Sequence, residues 1–405
     1  MRSLAFDSED KVDDGFTMML TTFYAIFLSL LLLLTGLHAF EVPFPASATE
    51  IRRSVVISSA SSIPVTRTQI VLGSGTKAEV ITCFPPSKST NAQDFLGQIL
   101  FGTTSNRKTC KKPVLAFLHG SFHASWCWSE QWMPYFASHG YPCVALSLQG
   151  TGATPTVHLG ASTVKIEKHV RDFDAFLRGL SDKDSQHSLG LELGNNPQIA
   201  LVGHSFGGLT IMKWLEQYYD EENDENEHQQ IVIAGICLLC SVPPSGNGKM
   251  TMRFLRRSLR NSWTIIAGFV LKQAITSKAI CRDLFFGGSE DDNGLSDDDI
   301  ARYQSYFKRD SVAIIDIMDL SKQLPSAKMD KQSGRAPFVD KLPSTLVIAA
   351  TDDFIVDEIG SRETAQYLGV NEPQFVDSPH DIMLGNKWQN GADTILEWLD
   401  ELQVV

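Results

Sequence analysis

One serine in this chain sits where its hydroxyl could become reactive. Gly203-His204-Ser205-Phe206-Gly207-Gly208 follows the apolar run Ile199–Val202 and precedes the helical stretch Leu209–Tyr218. A serine hydroxyl is a weak nucleophile until a base takes its proton. A sharp strand-to-helix turn would expose it, and glycines two residues before and after leave room for the crowded backbone. Earlier in the chain, His119-Gly120-Ser121-Phe122 follows the run Val114–Leu118. There the N–H of Ser121 would join that of Phe206 as a pair of oxyanion donors; a plain glycine turn is the alternative. Asp353 and His380 follow the runs Thr345–Ala350 and Gln374–Val376. They supply an acid and a base in the chain order Ser, Asp, His. Asp353 is preferred to its neighbour Asp352, while Asp357 and Asp381 read as surface or loop residues. Such a set points to acyl chemistry that needs neither metal nor organic cofactor.

These side chains are far apart in sequence, so elements must bring them together. Val65–Leu72 and Lys77–Phe84 flank Gly73-Ser74-Gly75 and predict a hairpin. Short apolar strands at Val114–Leu118, Pro142–Leu148, Ile199–Val202, Ile231–Leu239, Thr345–Ala350 and Gln374–Val376 alternate with helical patterns at Val164–Leu180, Leu209–Tyr218 and Ala392–Leu402. The alternation predicts an α/β fold, a mostly parallel sheet with helices on both faces. Residues 65–405 would form this domain. Between Pro243 and about Lys341 the strand rhythm stops, and Arg253–Ile280 is helical in texture and basic. Residues 245–340 are therefore expected to form a helical cap over the sheet's carboxyl edge, whose basic segment has either a solvated or a membrane-facing surface. Trp126, Trp128, Trp132, Tyr135 and Phe136 are expected to pack a helix onto the sheet rather than line a pocket.

The chain has 405 residues, is 43% hydrophobic and carries a formal net charge of −12. That balance argues against nucleic acid as a partner. Much of the acidity lies in Asp220–Glu227 and Glu290–Asp299, which read as solvated loops. Seven scattered cysteines do not form a disulfide scaffold. Cys237 and Cys240 lie in an apolar run and are expected in the core. Residues 1–40 read as a leader whose apolar segment, Met18–Leu37, is long enough to span a bilayer. Residues 41–64, rich in Ser, Ala and Pro, read as a linker or a transit-like segment; with the small residue before Phe40 they resemble a two-part presequence, directing the protein to a plastid or the secretory pathway. The alternative is a retained membrane anchor; translation could also begin at Met18.

From about Val114 to Leu402 the chain resembles the α/β-hydrolase family, and within it the esterase- or lysophospholipase-like serine members. The likeness rests on His119-Gly120, Trp126-Cys127-Trp128, the Gly203–Gly208 motif, Ser241-Val242-Pro243-Pro244 and His380-Asp381. It implies cleavage of a small-molecule or lipid-like carboxylic ester through an acyl-enzyme. Serine at position 205 argues against the epoxide and haloalkane branches, which use aspartate there. Acyl transfer, thioester cleavage and a binding protein without turnover remain open. One departure is Ser147-Leu148-Gln149-Gly150-Thr151-Gly152-Ala153-Thr154, which keeps the family's glycines but lacks its Asp, Arg and His. Local bracing of that loop is therefore in doubt.

Overall fold

A computed structural model describes residues 54–56, 63–86, 112–156, 160–189, 191, 193, 196–219, 231–257, 264, 272–288 and 295–402. The leader, Met18–Leu37 and most of 41–64 lie outside these residues, as does the acidic run 220–227. Among the described residues no helix is long and apolar enough to cross a membrane.

Among the described residues eleven strands are present: β1 (Ser54–Val56), β2 (Val65–Val71), β3 (Lys77–Cys83), β4 (Val114–Leu118), β5 (Cys143–Leu146), β6 (Thr163–Val164), β7 (Gln198–His204), β8 (Val232–Leu239), β9 (Ile314–Ile315), β10 (Thr345–Asp352) and β11 (Gln374–Pro379). Nine of them form one sheet in the order β1-β2-β3-β5-β4-β7-β8-β10-β11. The hairpin strands β2 and β3 are antiparallel, and β3 runs antiparallel to β5. From β5 to β11 every pairing is parallel.

The α-helices are α1 (Trp126–Ser129), α2 (Trp132–Ser138), α3 (Ile166–Ser181), α4 (Lys183–Leu189), α5 (Phe206–Trp214), α6 (Asn247–Arg257), α7 (Lys278–Cys281), α8 (Asp297–Asp310), α9 (Ile317–Lys322), α10 (Glu358–Tyr367) and α11 (Trp388–Leu402). Alternation along β4 shows how they cover the sheet, since successive side chains point to opposite faces. Leu115 and Phe117 join a core with Trp128, Trp132 and Phe136 of α1 and α2 and Leu399 of α11. Val114, Ala116 and Leu118 face the other core, with Val170, Phe173 and Leu177 of α3 and Leu209 and Met212 of α5. The aromatic cluster thus packs helices onto the sheet, with Trp128 4.9 Å from Phe117 between ring centroids. Trp126 points elsewhere, 4.6 Å from Tyr306 of α8.

Register aligns the strand ends. Leu118 stands opposite Gly203, His204 opposite Leu239, and Asp352 opposite Pro379. The loops after β4, β7, β8, β10 and β11 therefore leave the sheet at one edge. The chain order also reverses there: β5 lies on one side of β4 and β7 on the other. The carboxyl ends at such a reversal form a crevice where open α/β sheets hold ligands.

Residues 245–340 carry α6–α9, with one short ribbon in which β9 pairs parallel with β6. The tail of the acidic run 290–299 is not a loop. Ser296 and Asp299 close a capping box, and Asp297–Asp299 form the first turn of α8, where acidic side chains favour the helix dipole.

Candidate active site

Ser205 stands between the last residue of β7 and the first of α5, with φ 52° and ψ −118°. That conformation is costly for a side-chain-bearing residue and persists only when its surroundings hold it. Here the Ser205 N–H donates to Leu239 O at 2.9 Å, and its carbonyl accepts from Gly208 and Val242 N–H groups, both at 3.1 Å. Phe122 and Cys240, in the loops after β4 and β8, also have positive φ, 67° and 45°. Strain thus gathers at three neighbouring strand ends. The turn is tight as well. A Cβ on Gly207 would lie 2.3 Å from Leu118 O and 2.6 Å from His119 O, and one on Gly120 would lie 2.8 Å from Ser205 Cβ. The His119–Ser121 loop and the serine turn are therefore in van der Waals contact, and only glycines permit it. Ser121 is exposed, whereas Gly120 and Phe122 beside it are buried.

His380 and Asp353 meet. His380 Nδ1 lies 2.9 Å from both Asp353 oxygens, with the two side chains 2% and 3% exposed. Strand β10 runs two residues past the expected end, so Asp353 follows it directly. Asp352 points away: its side chain is 59% exposed, 3.9 Å from Lys387 Nζ. His380 is also tied to the serine turn, since its carbonyl accepts from His204 Nε2 at 2.9 Å and the two rings lie 4.8 Å apart. Burial first, then the neighbouring histidines, hold His204 well below the usual histidine range, so it stays neutral.

Asp357 and Asp381, expected to make surface or loop contacts, both lie in loops, but both are buried. Asp381 is fully buried, and its Oδ2 lies 2.9 Å from His123 Nε2. Asp357 caps α10 through Gly360 N–H at 2.9 Å and takes both Arg253 donors at 2.6 Å. Neither contact is visible locally: His123 and Asp381 are 258 residues apart, and Arg253 and Asp357 are 104 apart. An aspartate three residues ahead of Gly360 can cap a helix, but the helix that follows is too weakly apolar to have pointed to it.

The loop at Ser147–Thr154 is braced, by groups other than the family's usual ones. Glu79 accepts from Ser147 Oγ at 2.9 Å, Ser125 Oγ at 3.2 Å and Ala153 N–H at 3.1 Å. Asp310 accepts from Gly152 N–H at 2.8 Å. His119 Nε2 accepts from Leu148 N–H at 3.0 Å, which puts the ring proton on Nδ1, donating to Gly120 O at 2.8 Å. Burial lowers His119 to about 4, so this neutral tautomer persists. Gly120 C=O and Ser121 N–H belong to one peptide unit, so the contact orients the N–H as well. Chain regions far from the motif thus replace the missing charges.

Among the described residues two trios bring donor atoms within 4.8 Å of one another: the buried His204, His380 and Asp381, and Cys240, Asp353 and His380, of which Asp353 is half-buried. Both contain His380, whose Nδ1 Asp353 already engages. Burial, then the Asp353 charge, hold the Cys240 thiol well above its ordinary range, unlike a ligating thiolate. Both trios read as the immediate surroundings of His380 rather than a metal cage. Cys237 and Cys240 are buried, as the apolar run predicts.

Comparison with known proteins agrees with the fold. The thermophilic esterase from Thermogutta terrifontis superposes with a TM-score of 0.50 at 16% identity, covering 83% of this chain and 99% of that one. The enol-lactonase from Burkholderia xenovorans LB400 gives 0.50 at 14% identity, covering 82% and 99%. At these identities the likeness concerns the fold. Among curated proteins, Esterase PIR7B of Oryza sativa subsp. japonica is 26% identical over 149 residues, which cover 36% of this chain and 46% of the relative. Pheophorbidase of Raphanus sativus is 31% identical over 105 residues, covering 26% and 34%. The chain thus spans less than half the length of these curated relatives. The sequence model of the alpha/beta hydrolase family matches residues 115–386, more than half of the chain and the whole stretch from β4 through His380. By that match and by its sheet, the chain belongs to the alpha/beta hydrolase family.

Proposed function

We propose that this protein is a serine hydrolase that cleaves a small-molecule carboxylic ester through an acyl-enzyme. Ser205 Oγ attacks the ester carbonyl while His380 Nε2 takes the hydroxyl proton. Asp353 holds the imidazole in the Nδ1–H tautomer and stabilises the cation that forms. Backbone N–H groups of Ser121 and Phe206 hold the oxyanion. His380 then protonates the leaving alcohol. Water enters, loses a proton to His380 and releases the acid, restoring Ser205.

The observation that carries this reading is the His380–Asp353 contact on the same sheet edge as the strained Ser205 turn. Catalytic groups concentrate on such loops, where strain and burial preset their geometry. The name of the partial relative Esterase PIR7B agrees with it.

Residues 245–340 act as a cap in this proposal. Its support is that Phe285 and Phe307 lie 6.2 Å and 6.5 Å from Phe122, in the loop that carries Ser121. The apolar segment 18–37 is proposed as a cleaved address signal, which amino-terminal sequencing of the mature protein would test; a retained segment would mean an anchor.

Fluorophosphonate labelling of the purified protein tests the activity. The expected result is stoichiometric labelling that disappears in Ser205→Ala. Folded protein that resists labelling, under conditions that modify a control esterase, would favour a binding protein that has kept the fold.

A further inference from the structure

A second histidine–carboxylate pair lies beside the first. We propose that His123 and Asp381 form a buried clamp that positions Ser121 as oxyanion donor. The inference rests on the reading of function above and adds two positioning residues to it.

The proton positions follow from the partners. Ser121 O can only accept, so His123 Nδ1, 2.8 Å away, carries a proton. The opposite nitrogen faces Asp381 Oδ2 at 2.9 Å, so a second proton lies in that contact. Burial pulls the His123 pKa down, but the Asp381 charge and hydrogen bond and the Ser121 carbonyl outweigh it and hold it above 6.5. The ring thus donates to the Ser121 carbonyl and shares a proton with the residue that follows His380.

Its plane is fixed by aromatic neighbours. Trp126 stacks on it at 5.7 Å, and Phe307 meets it at 4.9 Å with the planes 67° apart. Asp381 is anchored in turn, its N–H donating to Phe285 O of the insert at 3.0 Å. Three separate segments are thereby locked together: the loop after β4, the loop after β11 and the insert.

Stability alone is a weak reason for such a pair, because desolvating two charges offsets much of their attraction. Position supplies a better one. His119 fixes the Gly120 carbonyl, and His123 fixes the Ser121 carbonyl, so the peptides on either side of Ser121 are both held. A misplaced oxyanion donor weakens binding of the transition state more than binding of the ester.

The test uses the full chain with a chromogenic ester, counting active sites by fluorophosphonate titration. His123→Ala is expected to lower kcat per titrated site about 10- to 100-fold, with KM changed less than about threefold. Affinity for a boronic acid, which mimics the tetrahedral species, should fall in parallel. Asp381→Asn keeps the ring and the shape, so it guards against misfolding of the first variant; it should lower kcat about 3- to 10-fold, because a neutral ring still pairs with Asn. Unchanged kcat per titrated site in Asp381→Asn, or a rise in KM that matches the whole loss, would overturn the clamp. Absence of Ser205-dependent turnover in the unsubstituted protein would instead sink the reading of function, and the clamp with it.

Discussion

His380 Nδ1 is 2.9 Å from each carboxylate oxygen of Asp353, and Asp353 Oδ1 also accepts the Ile355 and Val356 N–H groups at 2.8 Å. The acid is thus fixed by its own turn independently of the imidazole it faces. Asp352, one residue earlier, has none of these contacts and faces solvent near Lys387.

The two aspartates should therefore separate sharply under substitution. Asp353→Asn is expected to lower kcat about 10⁴-fold, because an amide neither stabilises the cation nor enforces the tautomer. Asp352→Asn should leave kcat within about twofold. Steady-state hydrolysis of one ester by both variants checks this. Equal losses would contradict the assignment of the acid.

Gly207 should not tolerate a side chain. A Cβ there would meet two carbonyl oxygens, Leu118 O at the end of β4 and His119 O just after it. Gly207→Ala is expected to cost about 1–3 kcal/mol or more in urea denaturation and to slow fluorophosphonate labelling, since relief must come from moving the loop or the serine turn.

Glu79 should behave as a structural carboxylate distant from the chemistry. It is 2% exposed and accepts from Ser125, Ser147 and Ala153. Glu79→Ala would strand those donors and is expected to destabilise by about 3–5 kcal/mol. Glu79→Gln should cost less, because one oxygen acceptor remains. Urea midpoints at fixed pH measure the difference.

Why Glu79 escaped notice in the sequence, while Ser205 did not, follows from where the signals lie. The serine turn is local: strand, glycines and helix stand within one short stretch. Asp353 and His380 each end a readable strand, and the order of the elements supplied their roles. Glu79 sits in an ordinary strand pattern, and the groups that donate hydrogen bonds to its carboxylate lie 46 to 74 residues away. Asp381 is harder still, because its neighbours Pro379 and His380 say nothing of His123. The strands of the parallel sheet were legible, since burial on both faces favours apolar runs. Helix α10 was missed because only Gly360, Ser361, Thr364, Ala365 and Tyr367 of it are buried, a face too weakly apolar to stand out. The β6–β9 ribbon pairs two-residue strands, too short for any period to show.

Acid should weaken the fold. Burial lowers His119 and His169 to about 4 and His204 well below its ordinary 6.5. Between those values and 6.5 the unfolded chain binds protons that the folded one does not, so stability falls as pH drops through 6.5. At pH 5 each such histidine costs on the order of 2 kcal/mol. His123 works the other way: its raised pKa gives stability that is complete below 6.5 and is lost as pH rises through the folded value. Three against one leaves a net loss. The urea midpoint should be lower at pH 5 than at pH 7, and His169→Gln should flatten the dependence. A midpoint that holds or rises at pH 5 would refute the neutral buried state of these rings.

The covalent step is open to direct observation. Acid-quenching the protein during turnover of an activated ester, then measuring intact and peptide masses, should reveal the acyl group on the peptide containing Ser205 and nowhere else, with no adduct in Ser205→Ala. Hydrolysis that continues at full rate in Ser205→Ala, or an acyl group carried by a different residue, would contradict the account.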